Sequence, residues 1–350
     1  MRIPLIDVIR FGSAIAVLLY HYCFRYWNRD GSGAMPYGMF AEVVKYGYLG
    51  VDAFFMVSGF VILMTATDKS AVQFSISRIV RLYPAYWFAC CALFVFALQW
   101  PVANYLPGYR DFFANLTMFH GYFGIPHVSG VFWTLVVEMQ FYLLMLVLIL
   151  AGLLRWIKGV LLVWMLTAVV ADYLPVSDLF KQLFILSWCQ YFVAGSVFYL
   201  VRKEGLCLVK GLILGLSLFY ALKHGYWYLL LKENLSGVVF DPLIMAIVIL
   251  TLYAMFLAIA LNRLPGNYRF LSRLGVLTYP LYLIHSTLGE ALMREYINVI
   301  DPYLLLVGLT LAMILLAYLI HRWVEKPLAG WLKRNLNRLH RRYRTQVTSA

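Results

Sequence analysis

Apolar residues form long uninterrupted runs along this chain, and that feature limits its possible folds more than any other. The stretch 242–260, PLIMAIVILTLYAMFLAIA, has no charged residue, and similar runs recur over most of the 350 residues. Apolar and aromatic residues make up 63% of the chain and charged residues only 13%. A soluble domain of this size cannot bury so much apolar surface. The composition excludes a soluble enzyme on a membrane tether and, since the runs do not alternate, an outer-membrane barrel.

The apolar runs, read between polar or Pro/Gly positions, predict the membrane spans. A helix needs about 20 residues to cross the hydrocarbon core, so a chain of this length has room for roughly ten. We predict an all-α polytopic membrane protein whose ten transmembrane helices lie near 5–26, 46–67, 82–100, 131–151, 157–172, 183–201, 206–224, 238–261, 270–294 and 302–323. An even number of spans leaves both termini on one side of the membrane.

Basic residues predict the orientation of these spans. The net charge is +13, and with both termini in the cytoplasm 20 Lys and Arg fall inside against eight outside. This asymmetry satisfies the positive-inside rule, and anionic lipid explains the basic excess without a nucleic-acid partner. We divide the chain into a transmembrane domain at 1–326 and a basic cytoplasmic tail at 327–350, which is expected to lie as a helix on the lipid surface.

The cysteines, the longest loop and one pair of glycines lead to further predictions. The five cysteines lack metal-ligand spacing, and we interpret them as small core residues without disulfides or a metal. The long external loop, about 101–130, is rich in aromatics, Gly and Pro, which suits sugar stacking but favours a position in the membrane interface. Its His120 and His127 lack metal-ligand spacing and are expected at a surface or in the membrane interface. Gly211 and Gly215 form a small-xxx-small pattern that predicts helix packing.

Charged side chains at membrane depth are costly, so each is a functional candidate. At about 1.5 Å of rise per residue, counting along the predicted spans separates them into two layers. The outer layer contains His21, Asp52, Glu138 and His285, with Ser58 near mid-depth; the inner layer contains Asp7, Arg10, Arg78 and Arg81. This arrangement is typical of a site with acid/base groups on one side and a cationic entrance on the other.

The charged residues have structural as well as functional interpretations. Arg78 and Arg81 share one helical face and are either positive-inside anchors or a clamp for a phosphate or pyrophosphate group. Asp7 and Arg10 form either an internal salt bridge or part of a ligand site. A lone membrane histidine is commonly a helix–helix hydrogen bond, but two histidines and two carboxylates at one depth favour a site. Glu138 beside a histidine would suit a general base that removes a hydroxyl proton.

Six short motifs follow one another along the chain. They are IDVIRFGSAIAVLLYH at 6–21, GYLGVDAFFMVSGFVI at 47–62, SRIVRLYPAYW at 77–87, FWTLVVEMQFYLL at 132–144, LTYPLYLIH at 277–285 and VEKP at 324–327. In this order they resemble the motifs of the membrane acyltransferases of family 3, bacterial enzymes that O-acylate surface carbohydrates. Leu146 departs from the family, which often has a proline after the glutamate motif.

The resemblance implies a ten-helix core, acetyl-CoA or another acyl-CoA as cytoplasmic donor, and a sugar hydroxyl near the external face as acceptor. It implies that His21 is the catalytic base and that Glu138 supports the site; we predict Glu138 and Asp52 as the catalytic carboxylates. It also implies that Arg78 and Arg81 contact the donor, with Arg10 and Asp7 beside them. Supporting positions by the same analogy are Ser58, Trp133, Tyr142, Tyr282 and His285. No metal is expected.

Two mechanisms and a rival function stay open at this point. We favour direct transfer, in which His21 takes the hydroxyl proton while the hydroxyl attacks the thioester; an acyl-histidine intermediate is the alternative. A proton-coupled transporter or a polysaccharide export subunit is the rival, because membrane His, Asp and Glu residues also form proton relays. The expected location is the bacterial cytoplasmic (inner) membrane, and the expected partners are acyl-CoA, a carbohydrate or glycolipid acceptor, and lipid.

Overall fold

The computed structural model describes residues 3–29, 36–100, 108–264 and 268–349, and these residues are helical with short turns and no strand. The long helices are α1 Pro4–Tyr20, α2 Gly50–Ala66, α3 Ala71–Gln99, α4 Trp133–Leu150, α5 Ile157–Ala171, α6 Cys189–Glu204, α7 Leu208–Ser236, α8 Pro242–Ala260, α9 Thr278–Tyr296, α10 Pro302–Ile320 and α11 Lys326–Ser349. Residues 101–107 of the predicted external loop lie outside the described residues.

Eight helical segments within the described ranges are long and apolar enough to cross a membrane. They are Pro4–Arg25, Gly38–Ala66, Ala71–Gln99, Gly130–Leu150, Leu153–Ala171, Leu208–Ser236, Pro242–Ala260 and Pro302–Arg342. An all-α polytopic membrane protein is therefore confirmed. The last segment is one continuous helix, so the predicted division between membrane domain and tail at residue 326 falls inside it. The side of the membrane on which the termini lie stays a prediction.

Two predicted spans, 183–201 and 270–294, correspond to helices that are not among these eight. Helix α6 has only 16 residues, and its whole stretch Cys189–Val201 is buried. Helix α9 is less apolar, yet nearly all of Thr278–Glu290 is buried as well. Because protein rather than lipid surrounds these helices, they tolerate the polar side chains that lower their hydropathy.

The chain forms two compact units, which are described separately. The first unit contains the described parts of 1–68 and 140–275, and the second those of 69–139 and 276–350. In the first unit, α6 lies against α2, α5, α7 and α8, while α1 packs on α2. In the second, α3 packs against α9 and α11, and α9 packs against α10.

Close helix contact in the first unit depends on two glycines, Gly59 of α2 and Gly195 of α6. A Cβ atom on Gly59 would lie 2.1 Å from the Phe192 carbonyl oxygen, and one on Gly195 would lie 1.9 Å from the Met56 carbonyl oxygen. Only hydrogen fits at either position, so the two backbones approach directly. The predicted packing role of Gly211 and Gly215 is wrong, because a Cβ on either would meet nothing within 4 Å.

Helix α3 begins well before the apolar run from which its span was predicted. Ser70 and Gln73 form a capping box that starts the helix at Ala71, so Arg78 and Arg81 lie inside α3 rather than at the entrance of a span beginning at 82. A hydropathy window detects the apolar part of a helix that faces lipid, but it does not detect the polar turns with which the same helix begins. Helix α7 likewise extends to Ser236, beyond the predicted end at 224.

The described part of the predicted external loop is folded around the buried side-chain amide of Asn115. The Asn115 Nδ2 atom donates to the carbonyl oxygens of Asp111 at 2.8 Å and Pro126 at 2.9 Å, and its Oδ1 accepts from the Val128 amide at 3.1 Å. The Tyr86 hydroxyl of α3 donates to the Asn115 carbonyl at 2.7 Å. These bonds attach the loop to α3 within the second unit.

Candidate functional site

The predicted site residues are divided between the two units. The first unit holds Asp7, Arg10, His21, Asp52, Ser58 and Tyr142, and the second holds Arg78, Arg81, Trp133, Glu138, Tyr282 and His285. Each group is described within its own unit. Glu138, Ser58, Asp7 and Arg10 are half-buried, and their roles stay predictions.

His21 occupies a special position in the backbone of the first unit. Helix α1 ends at Tyr20, and residues His21–Arg25 form a π-helical turn with wider hydrogen-bonded rings. Single π turns within α-helices are frequent at functional sites, because they displace a side chain from the regular helical face. The His21 ring is 4% exposed and meets the Tyr20 ring edge-on, with centroids 5.4 Å apart. Asp7 and Arg10 lie near the opposite end of α1.

Asp52 is the second buried ionisable group of this unit. It lies in the first turn of α2 and is 5% exposed. The positive end of the helix dipole favours a carboxylate there, and the Tyr191 hydroxyl of α6 donates a hydrogen bond to it. Tyr191 was not among the predicted residues, because an aromatic residue in an apolar run gives no sign of a tertiary partner.

A lysine that the sequence placed in an external loop is the most distinctive residue of this group. Lys232 lies inside α7, and its Nζ atom donates to the Tyr20 hydroxyl at 2.8 Å. The same atom is 4.9 Å from the centroid of the Tyr20 ring, 4.4 Å from that of Tyr48 and 4.9 Å from that of Tyr228. Three aromatic faces around one ammonium stabilise a cation away from water. We call Lys232 with Tyr20, Tyr48 and Tyr228 the lysine box.

In the second unit, Arg81 is held by two contacts. Its Nη1 atom donates to Glu325 Oε1 at 2.9 Å, and its guanidinium lies 5.3 Å from the centroid of the Tyr279 ring. The other Glu325 oxygen lies 2.8 Å from His321 Nδ1. Residues His321–Glu325 form a second π-helical turn, which joins α10 to α11. Glu325 belongs to the closing motif, but no sequence pattern indicated that it meets Arg81.

Arg78 lies one turn before Arg81 on α3 and is also half-buried. Its Nε atom donates to the Ser77 hydroxyl at 3.2 Å, and its guanidinium is 5.9 Å from the Phe74 ring. The three-residue spacing places both guanidiniums on one side of the helix. Two half-buried arginines so placed suit a phosphate or pyrophosphate ligand.

Helix α9 carries two more of the predicted residues of the second unit, Tyr282 and His285. The Tyr282 hydroxyl is 2.9 Å from that of Thr134, the residue after Trp133 at the start of α4. His285 is buried, and its Nδ1–H donates to the Tyr282 carbonyl at 2.9 Å. That bond makes Nε2 the basic nitrogen of the neutral ring. The supporting roles of Tyr282 and His285 stay predictions.

His120 does not lie at a surface, which was one of its two predicted positions. The His120 side chain is fully buried, and its Nε2 atom is 2.5 Å from His127 Nδ1. Burial lowers the pKa of His120 to about 4, with the neighbouring His127 as a second cause, and burial also lowers the pKa of His127. No group of three or more His, Cys, Asp or Glu within the described ranges could hold a metal ion.

The histidine pair predicts a pH dependence of stability. Because the folded pKa of His120 lies near 4 and its ordinary value is 6.5, the unfolded chain binds more protons between these values. The free energy of unfolding should therefore be constant above about pH 7 and fall by about 1–3 kcal/mol as the pH drops from 6.5 to 4. Denaturant unfolding across this range would measure it. His120→Phe should have a smaller slope, and an equal slope would contradict the assignment.

Comparison with known proteins identifies relatives of this chain. A family model described as Acyltransferase domain matches residues 3–322, a range that includes every predicted site residue. The peptidoglycan O-acetyltransferase OatA of Listeria monocytogenes serovar 1/2a (strain ATCC BAA-679 / EGD-e) is 28% identical over 177 residues, which cover 45% of this chain and 25% of that protein. The match thus spans only a quarter of that relative. No solved structure matches the chain.

Proposed function

The chain belongs to acyltransferase family 3, and from this membership we propose that it transfers an acetyl group from cytoplasmic acetyl-CoA to a hydroxyl of a cell-surface or lipid-linked polysaccharide. The family match over residues 3–322 of a multi-pass membrane protein is the observation that carries the proposal. The similar Listeria protein is named a peptidoglycan O-acetyltransferase, which supports acetyl as the group and a glycan as the acceptor. The bacterial cytoplasmic membrane is the proposed location.

The donor is proposed to bind through its phosphates at Arg78 and Arg81. Glu325 uses one of the five N–H donors of Arg81, and the Tyr279 ring supports the plane of the guanidinium. A planar guanidinium fixed in this way can still donate two parallel hydrogen bonds to a phosphate, and it loses little side-chain entropy when it does so. Coenzyme A carries both a pyrophosphate and a 3′-phosphate, so a pair of arginines matches its charge.

His21 is proposed as the general base. A neutral imidazole takes the proton of the acceptor hydroxyl while the hydroxyl oxygen attacks the thioester carbonyl carbon. The new C–O bond forms, the C–S bond breaks, and the coenzyme A thiolate leaves and receives the proton from the imidazolium. Asp52, which belongs to the same unit as His21, is the proposed carboxylate that favours the charged imidazole, and the catalytic role of Glu138 stays a prediction. Burial of His21 keeps water away from the thioester and so disfavours simple hydrolysis.

Ligand-dependent melting tests the donor site. Acetyl-CoA at a hundredfold excess over its dissociation constant should stabilise the purified wild-type protein in detergent by about 2.7 kcal/mol. Arg78→Ala/Arg81→Ala should lose most of this rise, because both phosphate contacts are removed. The matched control Arg338→Ala/Arg342→Ala, which removes two exposed arginines one turn apart on α11, should retain it.

Three outcomes of this melting experiment are distinguishable. A rise that is lost only in the first double mutant supports the donor and its site together. An equal rise in that mutant would place acetyl-CoA elsewhere on the protein. If folded wild-type protein shows no rise at saturating ligand, acetyl-CoA is not the donor, and a proton-coupled transporter becomes the better interpretation of the buried histidines and carboxylates.

A further inference from the structure

The hydroxyl of Tyr48 is a buried polar group whose presence needs an explanation. Tyr48 lies in the 3-10 turn Lys45–Leu49 that leads into α2 and is 6% exposed. Its hydroxyl has no hydrogen-bond partner among the described residues. Buried donors left without a partner are rare in folded proteins, because desolvation costs more than an ordinary hydrogen bond recovers. Phenylalanine would fill the same space without that cost.

Lys232, the neighbour of Tyr48 in the lysine box, also has N–H groups that make no hydrogen bond within the described residues. An ammonium carries three N–H groups, and hydrogen bonds within the described residues use one of them, to Tyr20. Three ring faces surround the ammonium, and the nearest is that of Tyr48, whose centroid lies 4.4 Å from the nitrogen. Ring faces stabilise a cation less than an oxygen anion would. The box therefore holds a half-buried ammonium and a buried phenol hydroxyl, and each has an N–H or O–H that the described residues leave unused.

The lysine box adjoins the proposed acid/base residues of the same unit. The Tyr20 hydroxyl accepts a hydrogen bond from Lys232 and the Tyr20 ring meets the His21 ring edge-on, so a single side chain contacts both the proposed base and the lysine. Asp52 comes one helical turn after Tyr48 and interacts electrostatically with both Tyr48 and Lys232. As a carboxylate, Asp52 repels negative charge, whereas the Lys232 ammonium and the Tyr48 hydroxyl can each donate to an anion, and Arg25 adds a further positive charge near Lys232.

From this geometry we infer that Lys232 and Tyr48 form the oxyanion site of the transfer reaction, an inference that rests on the proposed function. The ligand is the carbonyl oxygen of the acyl thioester in its tetrahedral, negatively charged state. When the acceptor oxygen adds to the carbonyl carbon, the C=O π electrons move onto this oxygen while His21 takes the acceptor proton. Donors already oriented toward that position stabilise the charge without reorganisation. Collapse restores the C=O bond and expels the thiolate, which receives the proton from His21.

Tyr48→Phe is the sharpest test, because stability and activity should respond in opposite ways. Removal of a hydroxyl without a partner should leave the melting temperature unchanged or slightly raised. The maximal transfer rate should nevertheless fall by about a hundredfold, as is usual when one oxyanion donor is lost. The apparent KM for acetyl-CoA should stay within threefold of wild type, because the interaction exists only in the transition state.

Lys232→Met gives a second test with a matched control in the same helix. Lys223 of α7 pairs with Asp172 at 3.0 Å, away from the lysine box. The maximal rate should fall about a thousandfold in Lys232→Met, stay near wild type in Lys223→Met, and recover in part in Lys232→Arg, which keeps the charge. A purely structural role would instead lower the yield of folded protein in proportion to the rate, so rates are expressed per folded molecule.

The assay uses the acceptor that the cell provides. Membranes are prepared from cells that naturally carry this chain, with the chromosomal copy deleted and each variant supplied in its place. Transfer of label from [14C]acetyl-CoA to alkali-labile ester on endogenous glycan is then followed. If wild type transfers no label, the proposed function fails and the inference fails with it. If wild type transfers label and both Tyr48→Phe and Lys232→Met keep rates within threefold of it, the oxyanion assignment alone is wrong.

Discussion

Replacing His21 with alanine is expected to lower acyl transfer by at least about a hundredfold while the protein still inserts and folds. The imidazole is the proposed proton acceptor, and water in its place is a far weaker base at neutral pH. His21 lies in a π-helical turn at the end of α1, where loss of a side chain removes no backbone hydrogen bond. The measurement is label transfer from [14C]acetyl-CoA per folded molecule, with folding checked by gel filtration in detergent.

His340→Ala provides the matched control for this experiment. His340 lies in α11 and makes no side-chain hydrogen bond within the described part of the chain. Its removal should leave the transfer rate unchanged, which shows that loss of a histidine is not harmful in itself. Transfer by His21→Ala within tenfold of wild type would refute the general-base role and favour another proton acceptor.

Gly195→Ala is expected to destabilise the first unit by about 3 kcal/mol or more, and Gly59→Ala by a similar amount. In each case the new methyl group would overlap a backbone carbonyl of the facing helix, at 1.9 Å for Gly195 and 2.1 Å for Gly59. Backbone atoms cannot rotate away as a side chain can, so α2 and α6 must separate along their contact. Thermal unfolding in detergent should shift by roughly 10 °C.

Gly211→Ala and Gly215→Ala serve as the controls for this prediction. Both glycines lie in the long helix α7, and an added methyl group meets nothing within 4 Å. Alanine is favoured over glycine inside a helix by about 1 kcal/mol, so these two variants should melt at or slightly above the wild-type temperature. Equal melting of all four variants would show that α2 and α6 can move apart at little cost.

These glycines show what a small-residue pattern can predict. The spacing of Gly211 and Gly215 matches the packing pattern well, yet a Cβ atom on either would meet no atom of the described residues within 4 Å. Gly59 and Gly195 lie on separate helices and belong to no common sequence pattern, but both lie where the backbones of α2 and α6 approach directly. A pattern along one helix identifies a face that permits close approach. Whether another helix occupies that face depends on residues far away in the sequence.

The residues of the candidate site also fall into two groups, those that the sequence pointed to and those that only the structure brought in. The motifs identified His21, Asp52, Arg78 and Arg81 from their position in apolar or motif-rich sequence. Lys232 was assigned to an external loop, because α7 continues past its apolar stretch through polar sequence to Ser236. Glu325 lies in the motif VEKP at 324–327, but nothing in the sequence assigned it a partner or a function. The ion pair of Glu325 with Arg81 joins residues that are 244 positions apart, and such a pairing leaves no local signal.

The sequence by itself determined that this is an all-α membrane protein of acyltransferase family 3, because hydropathy reports the cost of placing each segment in lipid and the ordered motifs report the family. Tertiary structure alone decided which helices contact one another and which polar groups become buried together. The lysine box, the Arg81–Glu325 pair and the buried His120 all follow from packing between distant segments. Hydropathy is a sum over neighbours along the chain, whereas a site depends on neighbours in space.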